Sequence, residues 1–273
     1  MTTPMRRCLP LLAALVAAGC GDAPTEPAAL LVARETRAAL QVSESLPTLP
    51  ALMARAREAA VPGLPASEPV GAGAEHPAGT SPGPEGDALE RAFGLWLDAQ
   101  ADPAADADGR VAEAYAAAAP VLASRLGAAG LEAALEDARR WVGLARPLVS
   151  AWERPGLRAA LREGEALLDA SVGLAADGDT VAAVRTLLHA ADRLRETTPW
   201  AVSGVLVAEV EGELARRGVG PIDPSPPPAD SVAVRLARLQ RLLHGAREAR
   251  EEGDYPLAIQ RAWYARQLLD GMP

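Results

Sequence analysis

The chain has 273 residues, of which 49% are hydrophobic and only 3% aromatic, and a formal net charge of −9 at pH 7. All 27 of its Lys+Arg residues are arginine, and asparagine is absent as well, which excludes a Schiff-base lysine, a phosphate-loop lysine and an asparagine oxyanion hole. The acidic balance disfavours nucleic acid and anionic lipid surfaces as partners, and the alanine-rich, isoleucine-poor mixture favours helices over strands.

At the N-terminus, Arg6 and Arg7 precede an apolar run from Leu9 to Ala18, and Gly19 and Cys20 follow. This is the layout of a secretory signal, too short to span a bilayer. Its end, Ala17-Ala18-Gly19-Cys20, resembles the bacterial lipobox, with Ala17 where leucine is preferred. The resemblance implies a signal peptide over 1–19, a diacylglyceryl group on Cys20, and attachment to a membrane of the cell envelope. Gly21 rather than aspartate after Cys20 implies the outer membrane, facing the periplasm. Of the two cysteines, Cys8 falls in the signal, so the mature chain cannot form an internal disulfide and must be held by its core. Loss of Arg6 and Arg7 leaves the mature chain at about −11.

A polar tether is expected over 20–27, then short helices over 28–60, interrupted by Leu46-Pro47-Thr48-Leu49-Pro50. Residues 61–87 carry proline and glycine throughout without an apolar period, and read as a disordered linker. Gly71-Ala72-Gly73 within it is not a nucleotide fingerprint, because no strand precedes it and no helix opens on it.

From 88 to 218 the pattern is that of a helical bundle or repeat region. Apolar stripes run through Leu89, Phe93 and Trp96, through Leu131, Leu135, Ala138, Val142 and Ala145, and through Leu157, Leu161, Gly164, Leu168, Val172 and Ala175. Another passes through Val202, Val205, Leu206, Val210 and Leu214. Pro120, Pro147 and Pro155 are read as turns or kinks. A proline-rich loop over 219–230 then leads to a C-terminal hairpin over 231–273, whose first helix carries Val232, Leu236, Leu239, Leu243 and Ala246.

One pattern occurs twice. The stretches Leu167 to Glu196 and Arg241 to Asp270 share it, and they align without gaps when Gly178 is set on Gly253, a shift of 75 positions. In each copy an apolar-periodic run reaches Gly-Asp and a second run begins. Glycine can take the left-handed conformation that ends a helix, and aspartate can cap the next.

The downstream copy resembles a tetratricopeptide-repeat hairpin at Ala246, Gly253, Asp254, Tyr255, Ala258, Ile259 and Ala265. The upstream copy does so at Ser171, Gly178, Asp179, Thr180, Ala183, Val184 and Ala190. Leu187 and Ala262 stand where that family has a large aromatic, and its following proline is displaced to Pro199 and Pro273. The resemblance implies stacked hairpins that present a face to a protein or peptide partner. A generic antiparallel bundle would use the same turn.

Candidate chemistry is sparse. Asp102, Asp106, Asp108 and Gly109 suggest a calcium loop. With Gly109 as its glycine, though, the first and last ligand positions fall on Ala104 and Tyr115, so a solvated capping turn is the better reading. His76, His189 and His244 lack metal-ligand or haem spacing, and Ser124, Ser150, Ser171 and Ser203 have no histidine at a telling distance. Trp96, Trp141, Trp152, Trp200 and Trp263 read as core anchors. Trp263 and Tyr264, adjacent on one helix, diverge by about 100 degrees, so one of them should reach the surface. Local arginines, among them Arg139, Arg140, Arg216 and Arg217, keep anionic ligands open.

The chain is therefore expected to be all-α, built of antiparallel helical hairpins in a tetratricopeptide-like repeat or helical bundle with Pro/Gly-rich linkers. No metal, cofactor or catalytic residue is called for. The function expected is a lipid-anchored, non-catalytic adaptor or scaffold. The alternatives are a small-ligand-binding bundle and a hydrolase without a recognisable motif.

Overall fold

The computed structural model describes residues 46–59, 83–102, 106–152, 154–218 and 231–272. Among them the fold is all-α, without strands. The helices are α1 (Leu49–Ala59), α2 (Pro84–Ala101), α3 (Ala107–Trp152), α4 (Pro155–Ala176), α5 (Thr180–Arg195), α6 (Pro199–Arg216), α7 (Ser231–Glu251) and α8 (Tyr255–Asp270). None of the described helices is long and apolar enough to cross a membrane. The signal peptide, Cys20, the tether, most of the linker and the proline-rich loop expected from sequence lie outside the described residues.

Helix starts follow proline and cap chemistry. Pro84, Pro155 and Pro199 each open a helix, where the missing N–H would have no intrahelical partner anyway. The expected linker bound of 87 is thus corrected to 83: Pro84 starts α2, and Glu85 and Asp87 fall in its first turn, against the positive end of the helix dipole. The interruption expected at 46–50 is likewise shorter, since Leu49 and Pro50 already belong to α1.

Pro120 and Pro147 break nothing. Both sit on the solvent side of α3, and the discontinuity falls at Gly127 instead, with φ 61° and ψ −173°. That region of backbone space is essentially reserved for glycine, so Gly127 divides α3 into arms over 107–126 and 128–152.

The two Gly-Asp turns are closed in the same way. Gly178 has φ 84° and Gly253 φ 80°. The Asp179 N–H donates to Leu174 O at 3.0 Å and the Gly178 N–H to Ala175 O at 3.2 Å. The downstream bonds are Asp254 to Ala249 O at 2.8 Å and Gly253 to Arg250 O at 3.2 Å. This pair of bonds is the Schellman motif. Each aspartate then turns to the next helix, Asp179 Oδ1 accepting from the Ala182 N–H at 2.9 Å and Asp254 Oδ1 from the Leu257 N–H at 3.1 Å. One residue finishes the first helix with its backbone and caps the second with its side chain.

Packing follows from these turns. The most extensive contacts are between α4 and α5, then between α7 and α8, then between α2 and α3. α3 also packs on α5, α1 and α4, while α6 packs on α8 and α7. A single buried cluster runs through all eight helices. Its crossings are closed by small residues: Ala183, Ala190, Ala246, Ala258, Ala262 and Ala265 are each fully buried. A Cβ at Gly164 would lie 2.7 Å from Leu194 Cδ2, so a side chain there would have to displace the buried Leu194 at the α4–α5 crossing.

Trp141, fully buried on the second arm of α3, donates its indole N–H to Thr197 Oγ1 at 3.1 Å and Leu194 O at 3.3 Å. This fixes the α5–α6 turn against α3. The stripes read from sequence face the core with two exceptions: Val205 on α6 and Val232 on α7 are turned to solvent.

Candidate functional site

The repeat-motif residues sort into turn and crossing. Gly178, Asp179, Gly253 and Asp254 make the turns, with Thr180 and Tyr255 half-buried at the starts of α5 and α8. Ala183, Val184 and Ala190, like Ala258, Ile259 and Ala265, are fully buried between helices. Ser171 and Ala246 occupy equivalent buried positions, but only the serine has a hydroxyl, which donates to Ala183 O at 2.7 Å. These residues hold the hairpins together: those at the crossings are buried, and the exposed Asp179 and Asp254 are engaged as helix caps.

A groove does open on the outer side of the downstream hairpin. It has a volume of about 540 Å³ and is lined by Arg238, Arg241, Leu242, His244, Gly245 and Glu248 of α7 and by Arg261 of α8. The periodicity of α7 explains it. Leu239, Leu243, Ala246 and Ala249 form the buried stripe, which leaves Arg238, Arg241 and Leu242 along the neighbouring edge at helical spacing.

Gly245 shapes the floor. A Cβ there would meet Arg261 Nη1 at 2.8 Å, and in its absence the guanidinium crosses from α8 and donates to Gly245 O at 2.6 Å. Arg238 and Arg241 are exposed and, among the described residues, form neither an ion pair nor a hydrogen bond. At the far end His244 Nε2 lies 3.2 Å from Glu248 Oε1. The groove therefore offers three guanidinium groups and ends at a carboxylate.

The arginines named from sequence behave differently. Arg139 faces Glu136, Arg140 faces Asp137, and Arg216 and Arg217 both face Glu213. Arg217 beside Glu213 holds that carboxyl below its ordinary range. Each such arginine has an acid three or four positions earlier, so the charge is balanced within one helix. The groove arginines have a sequence signal too: Arg235, Arg238 and Arg241 recur every third position with no acid between Asp230 and Glu248. That run could have been found, and the reach of Arg261 from another helix could not.

A second polar cluster lies between α3 and α5. Tyr115 is fully buried, its hydroxyl donates to Asp192 Oδ2, and its ring meets His189 edge-on at 4.9 Å between centroids. Burial pushes the Tyr115 phenol above its ordinary value, with the Asp192 charge adding to the effect. Burial also raises the Asp192 carboxyl, against the Tyr115 hydrogen bond and the Arg195 charge. His189 is lowered by burial, against the pull of Asp192. The guanidinium of Arg195 stacks 5.6 Å from the centre of Trp96 beside the cluster. The arrangement ties the first arm of α3 to α5, and burial there favours the neutral imidazole.

The remaining candidates stay apart. Among the described residues no group of three His, Cys, Asp or Glu could hold a metal ion. Gly109 is helical, with the Asp106 carboxylate 2.5 Å from where its Cβ would be, and Arg110 bonds back to Asp102 O at 2.9 Å. Ser124 and Ser150 are exposed, and the buried Ser203 donates to Trp200 O. Trp96 and Trp141 are core residues, whereas Trp200 is 52% exposed under the Arg250 guanidinium, so the core reading fails there. Trp263 and Tyr264 do not diverge: their rings touch edge to face at 5.1 Å, both half-buried.

Comparison with known protein families, curated proteins and solved structures gives no match for this chain.

Proposed function

We propose that the chain is a lipid-anchored, non-catalytic binding module of the bacterial cell envelope. Its stacked hairpins, tetratricopeptide-like in their turns and alanine crossings, hold a protein or peptide partner, and Cys20 carries the anchor. The observation behind this reading is the solvent-open groove on α7 and α8, whose arginines Arg238 and Arg241 are left without partners among the described residues. Small-molecule sites are usually enclosed, which makes a small ligand the weaker reading of a groove this open to solvent.

The test is affinity capture of the full-length chain from its own membranes beside a Cys20→Ala control, with mass spectrometry of the bound proteins and of the mature N-terminus. A stoichiometric partner together with a diacylated Cys20 is the expected result. An unmodified N-terminus removes the anchor, and a copurifying small molecule without any protein partner removes the adaptor.

A further inference from the structure

Resting on the binding-module reading, we infer that the α7–α8 groove takes an extended, acidic peptide segment of its partner. From Arg238 to Glu248 the helix rises about 15 Å, at about 1.5 Å per residue. A strand at about 3.3 Å per residue fits four or five residues into that length.

Charge selects among extended peptides. Arg238 and Arg241 stand one helical turn apart, close to the spacing of alternate side chains on an extended chain, so two carboxylates of one peptide can reach both. Guanidinium groups bind carboxylates through paired, charge-assisted hydrogen bonds. Arg261, anchored on Gly245 O from the opposite helix, closes the other wall and leaves the rest of its donors to the groove.

Glu248 makes the groove directional, because a further acid at that end would meet a like charge. Elsewhere the surface is acidic on balance, at −9 for the whole chain, which opposes an anionic bilayer more than a single peptide entering the recess. The upstream hairpin has no such groove chemistry: 75 positions earlier, Arg238, Arg241 and Arg261 become Glu163, Ala166 and Thr186.

The test is fluorescence anisotropy of the full-length chain in non-ionic detergent with labelled eight-residue peptides of alternating alanine and glutamate, glutamine or lysine. The glutamate peptide should bind, weaken as salt is added, and lose at least tenfold in affinity to Arg238→Ala with Arg241→Ala. Neither residue has a partner among the described residues, so unchanged circular dichroism is expected for that variant, and Glu248→Gln should bind the glutamate peptide more tightly.

Equal binding of the glutamine peptide overturns the acidic ligand but leaves a binding module in place. Phosphatidylglycerol vesicles bound through Arg238 and Arg241 in preference to the glutamate peptide overturn it in favour of a membrane contact. Self-association lost in the double variant overturns it in favour of a second copy of the chain. Binding of none of these probes also overturns it, and the module itself then stands or falls by whether capture from membranes returns a partner.

Discussion

The α4–α5 and α7–α8 hairpins share a turn, a cap and a set of alanine crossings, yet one is closed into the fold and the other keeps an open flank. Upstream, α3 packs across both helices, Gly164 admits Leu194, and Ser171 ties the first helix to Ala183 O. Downstream the equivalents are Leu239, Leu269 and Ala246, and among the described residues the pair packs chiefly on α6, mostly through α8. A turn code therefore specifies that two helices fold back on each other, and leaves to the neighbours which flank is covered. Side chains on the uncovered flank are free to serve recognition.

The largest effect that would break this contrast is Trp141→Ala. Removing a fully buried indole and its hydrogen bonds to Thr197 and Leu194 should cost about 3–5 kcal/mol, with hydrogen-exchange protection lost from α5 more than from α8. Equal loss in both hairpins would mean that they unfold as one unit.

Next come the shared crossings. Ala183→Leu and Ala258→Leu should each overpack a helix pair and cost about 1–3 kcal/mol. The downstream cost should fall at the lower end, because α7 has an open flank toward which it can shift. Unchanged thermal melts for both would remove the claim that these alanines mark close-packed crossings.

The caps should be equal. Asp179→Ala and Asp254→Ala each leave an amide of the following helix without its acceptor, for about 1 kcal/mol apiece in chemical denaturation. A large difference between them would show that the two turns are not energetically equivalent.

Smallest is a pH effect confined to the upstream hairpin. Burial holds His189 below its ordinary value of 6.5, so the unfolded chain takes up the proton first and stability falls as pH drops through that value. Asp192, raised above 3.8, has the opposite sign and gains stability toward the carboxylate range. Urea denaturation of His189→Gln between pH 7 and 5 should show a flatter slope than the wild type. An unaltered slope would mean that the imidazole is solvated in the native state.

Much of this architecture is legible in the residues because its rules are local. The Gly-Asp turns, the helix-opening prolines and the apolar stripes are properties of short runs of consecutive residues, and the stripes faced the core apart from Val205 and Val232. Boundaries read less well. Pro84 looked like linker because proline and glycine crowd around it, although proline is well suited to a first turn, and Pro120 looked like a break although an exposed proline can be carried on the outside of a long helix. The break went to Gly127, whose backbone conformation a side chain would forbid.

The helical class, the twinned hairpins and their capping chemistry are determined by the sequence itself, since each depends on hydrogen bonds and apolar spacing within a single stretch of chain. The junction of Trp141 with Thr197, the Tyr115–Asp192 tie and the groove bridged by Arg261 were decided by tertiary structure. Each joins helices that the chain separates by tens of residues or by a reversal of direction. Whether an arginine ends up paired or open depends on which helix arrives beside it, and that is set by the packing of the whole core.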